Sequence, residues 1–152
     1  MTVRVQYEDF DVGEEIARLR LQRNDIGAVV SFVGQVRDLN DGDNVTALTL
    51  EHYPGMTEKS LQTIVDSAKS RWDVMDILVI HRVGSLKPQD QIVLVAVAGA
   101  HRGKAFKACE YVMDYLKTQA PFWKKEDTPD GTRWVEAKAT DDAARDRWLH
   151  TQ

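Results

Sequence analysis

The sequence predicts an α+β fold in a single domain spanning residues 1–152, with mixed, mainly antiparallel strands and helices packed on them. Two observations predict it. Strand-like and helix-like segments follow one another roughly as βα-ββ-α-ββ-α-ββ-α, so hairpins interrupt the strict alternation that a doubly wound parallel sheet requires. And 152 residues, 43% of them hydrophobic, suit one ordinary core rather than two.

The elements follow in order. Val3, Val5 and Tyr7 alternate with polar residues and open the chain as a strand. Asp11 with Glu14 makes a capping box for a helix carrying Ile16, Leu19 and Leu21. Gly27 to Gly34 reads as a buried strand ending at Gln35-Val36-Arg37, and residues 38–44, rich in Asp and Asn, read as an exposed, mobile loop with Arg37 at its hinge. Val45 to His52 is a strand; Tyr53-Pro54-Gly55 turns the chain into a helix from Thr57 to Trp72 with Leu61, Ile64, Val65, Ala68 and Trp72 inward. Ile77 to Val83 and Ile92 to Ala98 are apolar strands joined by turn chemistry at residues 84–90, and they are expected to pair antiparallel.

The next segment organises the rest. From Lys104 to Lys117 the residues Ala105, Phe106, Ala108, Cys109, Val112, Met113 and Leu116 recur every three or four positions, a helix with one apolar stripe. His101 and Arg102 precede it, at a helix N-terminus whose open N–H groups favour an anion. Pro121 ends it, and Phe122 and Trp123 return Lys124, Lys125 and Glu126 towards Lys117. The turn Thr128-Pro129-Asp130-Gly131 leads to a short strand over Thr132 to Lys138, and Thr140-Asp141-Asp142 precedes a short helix ending near Trp148 and Leu149.

Residues 101–125 hold six basic residues and two acidic ones in a chain of net charge −4. So local a basic patch suits a small anion or an acidic protein tail better than a long polyanion. No apolar run approaches the ~20 residues of a membrane span, and the first residues lack a signal pattern, so a cytoplasmic location is expected. The single Cys109 excludes an internal disulfide and belongs to an apolar stripe, where it packs. His52, His81, His101 and His150 show no ligand spacing, so no metal site is expected. P-loop, dinucleotide and nucleophile-elbow fingerprints are absent and no cofactor is expected. What remains is His101-Arg102 and Lys117 with Lys124-x-Glu126. Two readings of the lysines stand. If they share a pocket, repulsion lowers one pKa and yields a base or nucleophile; if not, Lys117 complements the helix dipole and Lys124 is a solvated turn residue. Arg37 likewise reads as a surface charge or as a phosphate fork.

Four strings carry a resemblance: Leu50-Glu-His-Tyr-Pro-Gly-Met56, Ala100-His101-Arg102, Met113-Asp-Tyr-Leu-Lys117 and Ala120-Pro-Phe-Trp-Lys124. In this order the chain, from about Phe10 to Trp148, resembles the large, catalytic subunit of molybdopterin synthase, the MoaE family. The resemblance implies an α/β hammerhead fold with an added β subdomain. It implies a sulfurtransferase that converts cyclic pyranopterin monophosphate into molybdopterin. The sulfur comes from the C-terminal Gly-Gly thiocarboxylate of a small ubiquitin-like (MoaD-like) subunit, and two large subunits form a homodimer with one small subunit at each end, a heterotetramer. By residue match Lys117 is the principal catalytic lysine and Lys124 the second; Arg37, His101 and Arg102 bind substrate and its phosphate, with Gln35, Val36, Lys125 and Glu126 as further substrate-binding positions. Gln35 and Gln119 stand where relatives can carry a basic residue. The rival from another class is a non-catalytic module holding an acidic protein tail in a basic pocket. RNA binding through Phe122, Trp123 and the nearby lysines fits the acidic chain poorly.

Overall fold

The computed structural model describes residues 2–40, 43–135 and 139–149. In chain order the elements are β1 (Val3–Gln6), α1 (Val12–Arg20), β2 (Ala28–Gln35), β3 (Leu39–Asn40), β4 (Asp43–Asn44), β5 (Ala47–His52) and α2 (Met56–Arg71). Then come β6 (Asp76–Arg82), β7 (Gly84–Leu86), β8 (Gln91–Gly99), α3 (Arg102–Gln119), β9 (Phe122–Thr128), β10 (Gly131–Val135), α4 (Ala139–Asp146) and a 3-10 turn (Arg147–Leu149).

The first sheet has the order β1-β6-β8-β2. As expected, β6 and β8 pair antiparallel; β1 joins β6 in parallel. The unbroken apolar run of β8 has a cause, since this strand is covered on both faces. Val93, Val95 and Val97 point with Ile77 and Val79 into the main core beneath α2 and α3, while Leu94 and Ala96 join Leu78, Ile80 and Phe10 beneath α1. β2, expected to be buried, is instead the edge strand. Ser31 is exposed and Phe32 is 41% exposed, because among the described residues β8 is β2's one neighbour in the sheet.

The second sheet, β10-β9-β5-β7, is antiparallel throughout. Its strand β7 lies in the segment expected to be a plain turn, where it pairs with β5 through Leu48 and Leu86. Within the expected loop over residues 38–44, β3 and β4 form a short ladder closed by Val45 N donating to the Asp38 carbonyl at 2.7 Å. Burial of Val45 pins its far end.

Asp11 caps α1 as its sequence requires, accepting from Glu14 N at 3.0 Å. Leu21, expected on that helix's apolar face, is 67% exposed because the helix stops at Arg20. The face instead buries Glu15, which pairs with Arg4 of β1 and with Arg18. On α3 the stripe is Ala105, Ala108, Cys109, Tyr111, Val112, Met113 and Leu116; Phe106, one residue round from Ala105, turns outward. Trp72, Tyr111 and Trp148 meet edge to face at centroid distances of 5.1–5.6 Å, fastening the C-terminal segment to α2 and α3. Positions 136–138 of the expected last strand and His150 lie outside the described residues. Among the described residues no helix is long and apolar enough to cross a membrane.

Candidate active site

Helix α3 ends where Pro121 forbids another turn, and Phe122 N donates to the Ala120 carbonyl at 2.8 Å as the chain reverses into β9. Thr57 fixes this corner from the first turn of α2. Fully buried, its hydroxyl lies 3.0 Å from the Tyr53 carbonyl and 3.3 Å from the Pro121 carbonyl, and it accepts from Tyr53 N at 3.0 Å.

Strand β9 then alternates. Phe122, Lys124 and Glu126, registered against His52, Leu50 and Leu48 of β5, share the face that lines a cavity of about 640 Å³. Trp123 and Lys125 take the other face. Lys117, on the last turn of α3, and Leu116 form a second wall. The third is the end of β2, where a register shift between Gly34 and Gln35 turns Gln35, Val36 and Arg37 onto the cavity. Arg37 also borders an adjoining opening beside Pro88 and Gln89. The wall is apolar at Val36, Leu48, Leu50, Ile92 and Phe122, and charged at Arg37, Lys117, Lys124, Glu126 and Asp141.

The structure thus brings together Gln35, Val36, Arg37, Lys117, Lys124 and Glu126. It does not bring in the other three residues. His101 and Arg102 are exposed at the opposite end of α3, 16 residues from Lys117 and so about 24 Å away along the axis. His101 occupies the N-cap position without a side-chain cap bond. The Lys125 ammonium lies 5.6 Å from the centre of the Trp134 ring. Glu126 is buried and paired with Arg133 of β10 at 3.1 Å, so it enters the cavity as a neutralised carboxylate.

Two cavity residues escaped the sequence reading. Asp141 arrives from α4, which no spacing in the sequence connects to Lys117. His81 was legible only as a lone histidine in the apolar run of β6, a pattern shared with ordinary core residues. It is buried, its ring stacks on Phe122 at 3.8 Å and 17°, and Nδ1 lies 2.8 Å from the Arg82 carbonyl. Burial, then the positive charge of Lys124 and Lys117, pushes its pKa down to about 3, although the Arg82 bond acts the other way.

Cys109 is buried in α3 away from the cavity, and burial pushes its thiol up to about 11. The chain therefore has no thiolate at this site. Among the described residues no group of His, Cys, Asp and Glu could hold a metal ion. What the arrangement can do is hold an anionic, partly apolar ligand against two amines drawn from different elements.

The model of the family described as MoaE protein matches residues 5–119. A protein of Ralstonia nicotianae named "Molybdopterin synthase catalytic subunit" is 65% identical over 147 residues, 97% of this chain and 84% of that protein. Among solved structures, the molybdopterin biosynthesis MoaE protein from Burkholderia ambifaria superposes with a TM-score of 0.84 at 58% identity, covering 97% of each chain. Molybdopterin synthase from Staphylococcus aureus superposes with a TM-score of 0.82 at 34% identity, covering 90% of this chain and 98% of that one. The fold is shared across nearly the whole length of such relatives, and the chain belongs to the MoaE family.

Proposed function

We propose that this chain is the catalytic subunit of a molybdopterin synthase. It moves sulfur from the C-terminal thiocarboxylate of a small ubiquitin-like subunit to cyclic pyranopterin monophosphate and so forms the molybdopterin dithiolene. One observation carries the reading: Lys117 from the end of α3 and Lys124 from β9 open onto the same cavity, with Arg37 at its edge.

Each requirement of the chemistry has a residue suited to it. A thiocarboxylate tail and a phosphate-bearing pterin are both anionic, so the ammonium groups and the Arg37 fork hold them in place and offset charge that develops during transfer. The thiocarboxylate sulfur bonds to a side-chain carbon of the pterin as a C–O bond at that carbon breaks and its oxygen departs protonated. Water then adds to the acyl carbon, the acyl C–S bond breaks, and the carrier leaves as a carboxylate with the sulfur left on the pterin. A second thiocarboxylated carrier repeats the sequence at the neighbouring carbon. Lys117, beside the incoming tail, and Lys124 supply and remove the protons of these steps. With its one thiol buried and protonated, the chain itself is no sulfur donor. Gln35 and Val36 contact substrate from the end of β2, and Glu126 holds the cationic wall in register. The reaction belongs to the cytoplasm, where the carrier would be thiocarboxylated.

His101 and Arg102 reach a cavity from a second copy of the chain, because the length of α3 keeps them from their own. Lys125 offers that cavity no ammonium from its side of β9.

The test is Lys117→Ala, mixed with thiocarboxylated carrier and cyclic substrate. Dithiolene formation should fall by about 10²-fold or more while carrier affinity changes little. Loss of carrier affinity with unchanged single-turnover rate would replace the enzyme with a tail-binding module.

A further inference from the structure

Asp141 is the one carboxylate in the cavity wall without a partner among the described residues. Glu126, the other, is buried and held by Arg133 at 3.1 Å. Asp141 stands in the first turn of α4 and lines the cavity together with Lys117, Lys124 and Arg37. No hydrogen bond or ion pair reaches its side chain among the described residues. Helix polarity does not account for it, because Asp142 in the same turn serves that end of α4 and pairs with Arg145 at 4.0 Å. Nor is Asp141 loosely placed. Helix α4 runs on into Trp148, whose Nε1 donates to Asp114 of α3 at 2.7 Å, and Arg147 donates to the same carboxylate at 2.9 Å.

A carboxylate with no partner is a poor feature in a site for anions alone, since it repels them. It suits a ligand with two chemically different ends. An ionised carboxylate can only accept, and its two oxygens match two parallel N–H donors. A pterin carries that pair, a ring N–H and the amino group next to it, at the end away from its phosphate. A Gly-Gly tail offers separate peptide N–H groups and an anion, with no paired edge. We propose that Asp141 reads the pterin: its carboxylate oxygens accept from the ring N–H and the exocyclic amino group of the substrate's pyrimidine ring, while the cations of the wall take the anionic end. The proposal rests on the reading of this cavity as the sulfur-transfer site. It makes Asp141 a substrate-binding and specificity residue with no part in proton transfer. A site that accepts such a donor pair rejects a ring lacking it far more strongly than an apolar slot rejects a misfit.

The experiment has two binding arms, both on the whole chain. The first is calorimetric titration with cyclic pyranopterin monophosphate in the absence of carrier. Asp141→Ala should weaken binding about tenfold or more, Asp141→Asn, which keeps one acceptor oxygen, by less, and Asp142→Asn by less than about twofold. Wild-type affinity in Asp141→Ala overturns the proposal, and so does an equal loss in Asp142→Asn, which would make the effect one of α4 as a whole. The second arm reads the edge itself with pterin and lumazine, rings that differ in one group: lumazine has an oxo acceptor where pterin has the amino donor. Wild type should bind pterin about tenfold or more tighter, and Asp141→Asn, whose amide both donates and accepts, should bring the two affinities within about threefold. Equal affinities in wild type, binding of neither ring, or a preference unmoved by Asp141→Asn overturns the proposal. Turnover separates it from the functional reading. With thiocarboxylated carrier, Asp141→Ala should raise KM for the pterin while kcat stays within about threefold. If wild type makes no dithiolene while both binding arms hold, the functional reading fails and the Asp141 contact stands. If wild type makes dithiolene and Asp141→Ala matches its KM, the contact fails alone.

Discussion

A histidine buried as the neutral base has a measurable consequence for stability. The folded-state pKa of His81 lies at about 3, against an ordinary value of 6.5, so below pH 6.5 the unfolded chain takes up a proton that the folded chain refuses. Its contribution is complete above pH 6.5 and is lost as pH falls towards 3. The slope is about 1.4 kcal/mol per pH unit, or roughly 2 kcal/mol between pH 6.5 and pH 5, before most carboxylates titrate. Denaturant titrations at those two pH values should show the loss in wild type and a flatter response in His81→Phe; equal slopes would mean the imidazole is solvated. Glu126 is the contrasting residue. Its charge is kept in the wall by Arg133, one strand away in direct register.

At the scale of elements, α3 does two things at once: its apolar stripe builds the core and its last turn carries Lys117. The C-terminal segment is fastened to it. Trp148, 7% exposed, donates from Nε1 to Asp114 of α3 at 2.7 Å and packs on Trp72 and Tyr111, while Arg71 donates to its carbonyl at 3.1 Å. Trp148→Ala should remove about 3–5 kcal/mol, lowering the thermal midpoint by about 10 °C or more. Because α4 brings Asp141 to the cavity, the same variant should raise KM for the pterin. An unchanged midpoint in differential scanning calorimetry would show that this docking adds nothing to the fold.

For the whole molecule, the length of α3 sets a constraint. Arg102 and Lys117 sit at its two ends, so under the proposed function a second copy must supply His101 and Arg102. Half-exposed Trp123 and Trp134 on the second sheet, and the open edge of β2, leave surface for such contacts. Mixing Lys117→Ala with His101→Ala tests the arrangement. If sites are shared, half of the sites in each mixed dimer are intact, and random reassembly restores about a quarter of wild-type activity from two inactive parents. No recovery after verified exchange would place His101 in its own chain's chemistry or outside it.

Much of this was legible in one dimension. The helix from Arg102, the antiparallel pair β6 and β8, the Asp11 cap and the stop at Pro121 all follow from periodicity and from single residues with strong local preferences, because their causes act over a few neighbours. The resemblance placed Lys117 and Lys124 together because four unusual strings carry more information than any spacing. Tertiary structure decided what depends on distant partners. β2 became an edge because no strand lies beyond it among the described residues, Lys125 turned away because the parity of β9 is fixed by its register with β5, and His101 was separated from Lys117 by the rigid length of α3. His81 and Asp141 joined the site through packing between elements far apart in sequence. Local chemistry is written residue by residue, whereas a cavity is the space left between elements once their faces have met.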